Sequence, residues 1–280
     1  MRTVPTRLYK YFGLADTGPG YDAKTDFSRK AVEERQLFLA PINKFNDPLE
    51  FRFRTATLED TDPMQWVKAL EKLSDVNLEW SDRDHGIRAR VATTNPKAFE
   101  ERVARAPSVL RAWLEVRCGV LCMTEDAANL LMWAHYAACH RGFCLEFSTS
   151  FDPFQGAVQP VQYQELMPVL DPFTYNPDTF VDSILLGKST HWSYEREWRR
   201  VEHNVEDPLD AERWDEDDLP PSPRILHYPA KALTGIITGC QFPETRRADL
   251  ESWLTKAGSE PIRYRSVLSE TDYAVRIERV

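Results

Sequence analysis

Residues 119–147, GVLCMTEDAANLLMWAHYAACHRGFCLEF, place a strand, a helix and a second strand in one short unit. GVLCMT and GFCLEF are apolar runs of strand length, while EDAANLLMWAHYAA has the spacing of a helix. Gly142 stands where that helix would stop. The same alternation recurs along the chain. LYKYFG, LFLAPI, VQPVQYQEL, WSYEREWRRVEH, ALTGIITGC, IRYRSVL and YAVRIERV read as strands. FSRKAVEERQ behind its Asp26 cap, NPDTFVDSILLGKS, and PETRRADLESWLTKAG opened by Pro243 read as helices.

Residues 61–117 read as mainly helical, with Met64, Val67, Leu70 and Leu73 forming one stripe and a bend or break near Pro107. An acidic loop follows the late strand over 205–223. No internal repeat occurs and no interior segment has linker composition. These features predict a single α+β domain over 1–280, with 61–117 as a helical insertion.

Apolar residues make up 42% of the 280-residue chain, enough for a core. The net charge of −9 gives no chain-wide field that would attract phosphate backbones. The first residues, MRTVPTRLYKYFG, lack the apolar core of a secretion signal, and no run reaches membrane-span length. The expectation is a cytoplasmic protein without membrane contact. Five cysteines, an odd count, argue against a disulfide framework. Cys118 and Cys122 lack a second ligand pair, so they are read as buried thiols and no metal site is expected.

Three constellations carry candidate chemistry. The first is WSYEREWRR. As a strand it puts Glu195, Glu197 and Arg199 on one face, with Tyr194, Arg196 and Trp198 on the other. The pair of carboxylates is either a solvent-facing charged surface or a working acid pair. The second is the strand–helix–strand unit, where Thr124 ends a strand and His135 and Tyr136 lie mid-helix. Thr124 also fits a helix N-cap, and His135 and Tyr136 also fit a packed helix interior. The third joins Lys10 and Tyr11 of LYKYFG to Asn46 and Asp47 of FNDPLEF, whose Asn and Asp equally well fix their own turn. No GxGxxG, GxxxxGKS or GxSxG pattern is present, which weakens dinucleotide-fold, kinase and serine-hydrolase readings.

LYKY, FNDPLE, LLMWAHYAACHRGFCLEF and KSTHWSYEREWRR occur in that order over about residues 8–202. Together they resemble a bacterial family known as domain of unknown function 2971. More remotely, the layout resembles the ADP-ribosyltransferase fold, which implies a split mixed β-sheet with flanking helices. In the arginine–serine–glutamate branch of that fold a first strand carries a basic residue, a later strand ends in Ser-Thr-Ser, and a final strand carries Glu-x-Glu. The resemblance places Lys10 at the basic position, Cys122-Met123-Thr124 at the serine position and Glu195-Arg196-Glu197 at the last. The chain departs from the pattern at two places: lysine stands where arginine or histidine is usual, and Cys122-Met123-Thr124 is not Ser-Thr-Ser.

What the resemblance implies is an NAD-dependent transferase that modifies a macromolecule, as a toxin, effector or phage-defence protein with an antitoxin or immunity partner. Glu197 would be the catalytic carboxylate, Glu195 would orient or deprotonate the acceptor, and Lys10 would hold a phosphate. Tyr11, Thr124, His135, Tyr136 and Asn46 would complete the NAD site. Two other readings stay open. One is a catalytically inert nucleotide- or partner-binding module on the same scaffold. The other is a metal-dependent nuclease using Glu195, Glu197 and a third ligand such as Glu146 or His191.

Overall fold

The computed structural model describes residues 2–15, 22, 25–57, 60–64, 67–68, 80–171, 173, 176–203 and 224–280. The first half contains β1 (Arg7–Phe12), α1 (Phe27–Glu33), β2 (Gln36–Phe38), β3 (Arg54–Thr55), α2 (Trp80–Thr94), α3 (Pro96–Arg117), β4 (Cys118–Thr124), α4 (Leu130–Tyr136) and β5 (Phe143–Ser148). Then come β6 (Val158–Pro160), β7 (Gln162–Gln164), β8 (Val169–Leu170), α5 (Pro177–Leu186), β9 (Gly187–Ser189) and β10 (Glu197–His203). The chain finishes with β11 (Ile225–His227), β12 (Leu233–Thr238), α6 (Arg247–Ala257), β13 (Ile262–Leu268) and β14 (Val275–Arg279). The expected acidic loop over 205–223, and Leu70 and Leu73 of the helical stripe, lie outside the described residues.

The centre is an eight-stranded mixed sheet in the order β14-β13-β12-β5-β1-β4-β10-β6. Only β12 and β13 pair in parallel; the other neighbours in this sheet are antiparallel. Fold class is therefore α+β, with helices on both faces. One face carries Leu8, Leu121, Met123, Leu145, Phe147 and Trp198 against Ala31 and Val32 of α1 and Leu250, Trp253 and Leu254 of α6. On the other face Val120 and Cys118 meet Leu110 and Leu114 of α3 and Ile184 and Leu185 of α5. Farther along that face Trp133 of α4 stands edge-on to Tyr11, centroids 5.0 Å apart.

β1 and β4 are neighbours, yet their register contains a single residue pair, Tyr9 with Thr124. β1 instead follows β5 over six pairs, and β4 follows β10 over seven. The sheet thus opens between β1 and β4. Thr124 also pairs with Glu197, so Tyr9, Thr124 and Glu197 form one row across three strands. Opposed residues of an antiparallel ladder share a face, which puts Glu197 opposite the Trp198 core.

Several local expectations change. WSYEREWRRVEH is not one strand: Thr190–Glu195 is a 3-10 turn, and the strand starts at Glu197. The helix from NPDTFVDSILLGKS stops at Leu186, and Lys188 belongs to β9. The helix α3 runs unbroken through Pro107, because Leu110, Trp113 and Leu114 beyond it are packed in the core. VQPVQYQEL splits into β6 and β7, which join different partners.

Gly142 does not end α4, whose C-cap is Ala137. The chain turns through three left-handed residues, Ala138, Cys139 and His140, before Gly142 donates its N–H to the Ala137 carbonyl at 2.8 Å. A Cβ on Gly142 would land on the Phe12 carbonyl oxygen of β1. Gly142→Ala therefore displaces β1 from its place beside β5. Overpacking of this kind costs about 1–3 kcal/mol, to be read as a fall in the urea midpoint at unchanged slope.

Candidate functional site

The opening between β1 and β4 is a cavity of about 390 Å³. Its walls include Tyr9, Lys10 and Tyr11 from β1 and Val120, Cys122, Met123 and Thr124 from β4. Lys44, Phe45 and Asn46 close it from the loop after β2; Met132, His135 and Tyr136 do so from α4. Lys188, Glu195 and Glu197 also line it. The eight residues that the transferase resemblance assigns to the site, Lys10, Tyr11, Asn46, Thr124, His135, Tyr136, Glu195 and Glu197, border this one space, while Asp47, Glu146 and His191 do not line it. The size is typical of small-molecule sites.

Glu195 and Glu197 are not a solvent-facing strand surface; both are buried. Nor do they alternate along a strand. The 3-10 turn ends at Arg196, which adopts a left-handed backbone at φ 47°, ψ 48°. That turn swings both carboxylates onto one cation: Lys188 Nζ lies 2.6 Å from Glu195 Oε2 and 2.9 Å from Glu197 Oε2. A non-glycine residue in this region is held by its surroundings. Here Arg196 Nε donates to Glu125 at 2.7 Å, while Trp198 Nε1 donates to the same carboxylate at 3.2 Å.

The cluster continues inward. Arg199 donates to Glu197 Oε1 at 2.8 Å through Nε and to Oε2 at 3.1 Å through a terminal nitrogen. It also pairs with Glu50 and donates to the Leu185 carbonyl at 2.6 Å. Lys188 lies 3.8 Å from Glu50 Oε2, an oxygen without a hydrogen bond. Glu50, Glu195 and Glu197 thus face Lys188 and Arg199, which leaves one formal negative charge unmatched in a buried place. Burial of such a surplus is costly, and one carboxyl must yield.

The response is uneven. Burial pushes the Glu197 carboxyl up, but Arg199 and Lys188 outweigh it and hold Glu197 well below the usual carboxylate range. Burial raises Glu195, opposed by Lys188 and reinforced by Glu197. Burial likewise raises Glu50 against the pull of Arg199 and Lys188. Lys188 is held charged because Glu197, Glu50 and Glu195 overcome its own desolvation. The arrangement thus favours Glu197 as the anion, while the proton affinities of Glu195 and Glu50 are both raised. Neighbouring carboxyls with separated affinities are the usual mark of divided acid–base roles.

The remaining residues take definite places. Tyr136 donates its hydroxyl to Glu195 Oε1 at 2.7 Å. His135 is exposed at the cavity mouth rather than packed in a helix interior. Thr124 does not cap α4; Asn129 does, accepting from Leu131 and Met132. The Thr124 hydroxyl donates to the Glu195 carbonyl at 2.5 Å and accepts from the Asp126 N–H, so it fixes the acid turn. Tyr11 is buried and spends its hydroxyl on the Asp126 carbonyl, which makes it wall more than ligand. Lys10 lies on the split, where no ion pair to it is found among the described residues. Asp47 receives the Trp192 indole N–H at 2.8 Å, tying the FNDPLE turn to the 3-10 turn.

Glu50, Lys188 and Arg199 were not among the residues read as functional. Arg199 had one signal, its position two residues after Glu197; Glu50 and Lys188 had only their places within FNDPLE and KST. Their convergence depends on three segments meeting.

Comparison with family models, curated proteins and solved structures finds no match for this chain. The site must therefore be read from its own chemistry.

The nuclease reading does not fit the donor set. Glu146 is engaged by Thr234 at 2.7 Å and Tyr9 at 3.1 Å, and exposed His191 bonds Ser189. The point between Glu195 and Glu197 where a divalent cation would sit holds the Lys188 ammonium. No group of three or more His, Cys, Asp or Glu suited to a metal occurs among the described residues. No described helix is long and apolar enough to cross a membrane.

Proposed function

We propose that the chain is an ADP-ribosyltransferase-like enzyme that takes NAD as substrate and transfers its ADP-ribosyl group to a macromolecule. The observation that carries this reading is the unmatched negative charge of the buried cluster at the wall of a cavity that Lys10 of β1 also borders. Cleavage of a nicotinamide–ribose bond develops positive charge on the ribose, as glycoside cleavage does. A fixed anion placed before the reaction stabilises that charge without reorganising. Glu197 has that character, its carboxylate held ionised at the cavity wall by Arg199 and Lys188. Glu195, bonded to Tyr136, has the raised proton affinity suited to taking a proton from an acceptor. Lys10 supplies positive charge for a diphosphate.

The experiment is incubation of the protein with labelled NAD and cell extract, alongside calorimetric titration with NAD. Label transferred to a macromolecule supports the enzyme. One observation favours a second reading, the inert binding module: both Glu197 oxygens already hold internal partners. That reading predicts heat on NAD addition without turnover. In either case Lys10→Ala weakens NAD binding about tenfold or more, the usual worth of a charge-assisted hydrogen bond. Unchanged calorimetric affinity would remove Lys10 from the site.

A further inference from the structure

We infer that Lys188 is a positioning residue that divides the roles of Glu195 and Glu197, keeping Glu195 an ionisable base while Glu197 stays an anion. The decisive geometry is the list of cations that reach Glu195. Arg199 contacts Glu197, Glu50 and the Leu185 carbonyl, and none of its bonds goes to Glu195. Lys188 is the one cation paired with Glu195 among the described residues, through Oε2; Oε1 receives a neutral phenol from Tyr136. Take away the ammonium, and Glu195 is a buried carboxylate beside an anion, with only a hydroxyl donor left.

Lys188 is also held in place from every side. Glu50 approaches from the loop after the short 3-10 turn Ile42–Lys44, Glu195 and Tyr194 from the 3-10 turn Thr190–Glu195, and Glu197 and Arg199 from β10. Tyr136 of α4 and Tyr163 of β7 feel its charge, and Cys122 of β4 lies against Glu197. Trp192 sets its ring 5.2 Å from the ammonium. β9 pairs with β7 over Gln162–Gln164, which fixes the backbone carrying Lys188. An opposite charge within about 4–6 Å favours the ionised carboxyl by roughly 1–3 pH units, so this lysine decides where Glu195 titrates. The catalytic consequence rests on the transferase reading above; the charge division does not.

The test reads the carboxyl directly. Protein labelled with ¹³C at glutamate carboxyls is titrated by NMR, and the Glu195 signal is assigned by its loss in Glu195→Gln. Glu50→Gln is compared with the double variant Lys188→Met/Glu50→Gln, which has the same formal surplus as the native cluster and so a fair prospect of folding. The Glu195 midpoint is expected to rise by about 1–3 pH units in the double variant. A change below about half a unit overturns the inference. Should the double variant fail to fold, ¹⁵Nζ NMR of the native protein replaces it. A Lys188 ammonium signal that steps at the Glu195 midpoint supports the pairing, and one that ignores it overturns it. Where NAD turnover is measurable, the acid limb of kcat/KM follows the same midpoint. Absence of turnover in the native protein would sink the transferase reading and leave the NMR result standing.

Discussion

Under the proposed transferase reading, Glu197→Gln is expected to lower NAD turnover by about 10²–10³-fold while NAD affinity stays within a few-fold of native. The substitution keeps the shape of the side chain and removes its charge. It also brings the buried cluster to formal balance, with Glu50 and Glu195 facing Lys188 and Arg199. The fold should therefore tolerate it, and under the transferase reading the loss falls on the charge proposed to meet the developing cation. An interaction made mainly in the transition state lowers kcat and kcat/KM together. The measurement is initial-rate release of nicotinamide from labelled NAD, with calorimetry on the same samples. Equal rates for the two proteins would make Glu197 a structural acid only.

Arg199→Met has the largest expected effect on stability. Arg199 is fully buried and holds Glu197 and Glu50 at once. Removing one partner of a buried ion pair costs about 3–5 kcal/mol, since the other charge stays behind. For a chain of this size that is a fall in Tm on the order of 10 °C. Glu50→Gln in the same chain removes one stranded carboxylate and recovers part of the loss, so the two changes are non-additive.

The pH dependence has a definite sign. Glu197 is depressed in the folded protein, so its contribution to stability is present above the ordinary carboxyl range and lost as pH falls through the folded value. Without Arg199 that depression is reduced, and protonation relieves the stranded charge. The penalty for Arg199→Met is then greatest near neutral pH and shrinks toward pH 5. Urea unfolding at the two pH values checks this; a penalty independent of pH would mean that lost packing, not charge, is responsible.

Much of the architecture was legible because strands and helices announce themselves through short-range chemistry. The β4–α4–β5 unit followed from two apolar runs around a helical spacing, and the Asp26 cap from one residue type before an amphipathic run. The Glu195/Glu197 pair was legible as a pair. Its geometry was not, since a left-handed Arg196 has no signature in an arginine and the alternation rule assumes an unbroken strand. Lys188 was hidden for a different reason: GKS after an apolar helix reads as a helix end, and only pairing with β7 makes it a strand. Glu50 gave no sign because its partner is 149 residues away.

The amino-acid order alone determined most of the long strands and helices, that the domain is α+β, and that two acids are paired one residue apart. Those outcomes depend on periodicity, capping and turn residues, all of which act over a few positions. Tertiary structure alone decided that the sheet parts between β1 and β4, that three carboxylates and two cations share one buried place, and which carboxyl is pulled below its usual range while its neighbours are pushed above it. Charge state in a protein interior is set by desolvation and by partners brought from distant parts of the chain, and neither exists until the chain has folded.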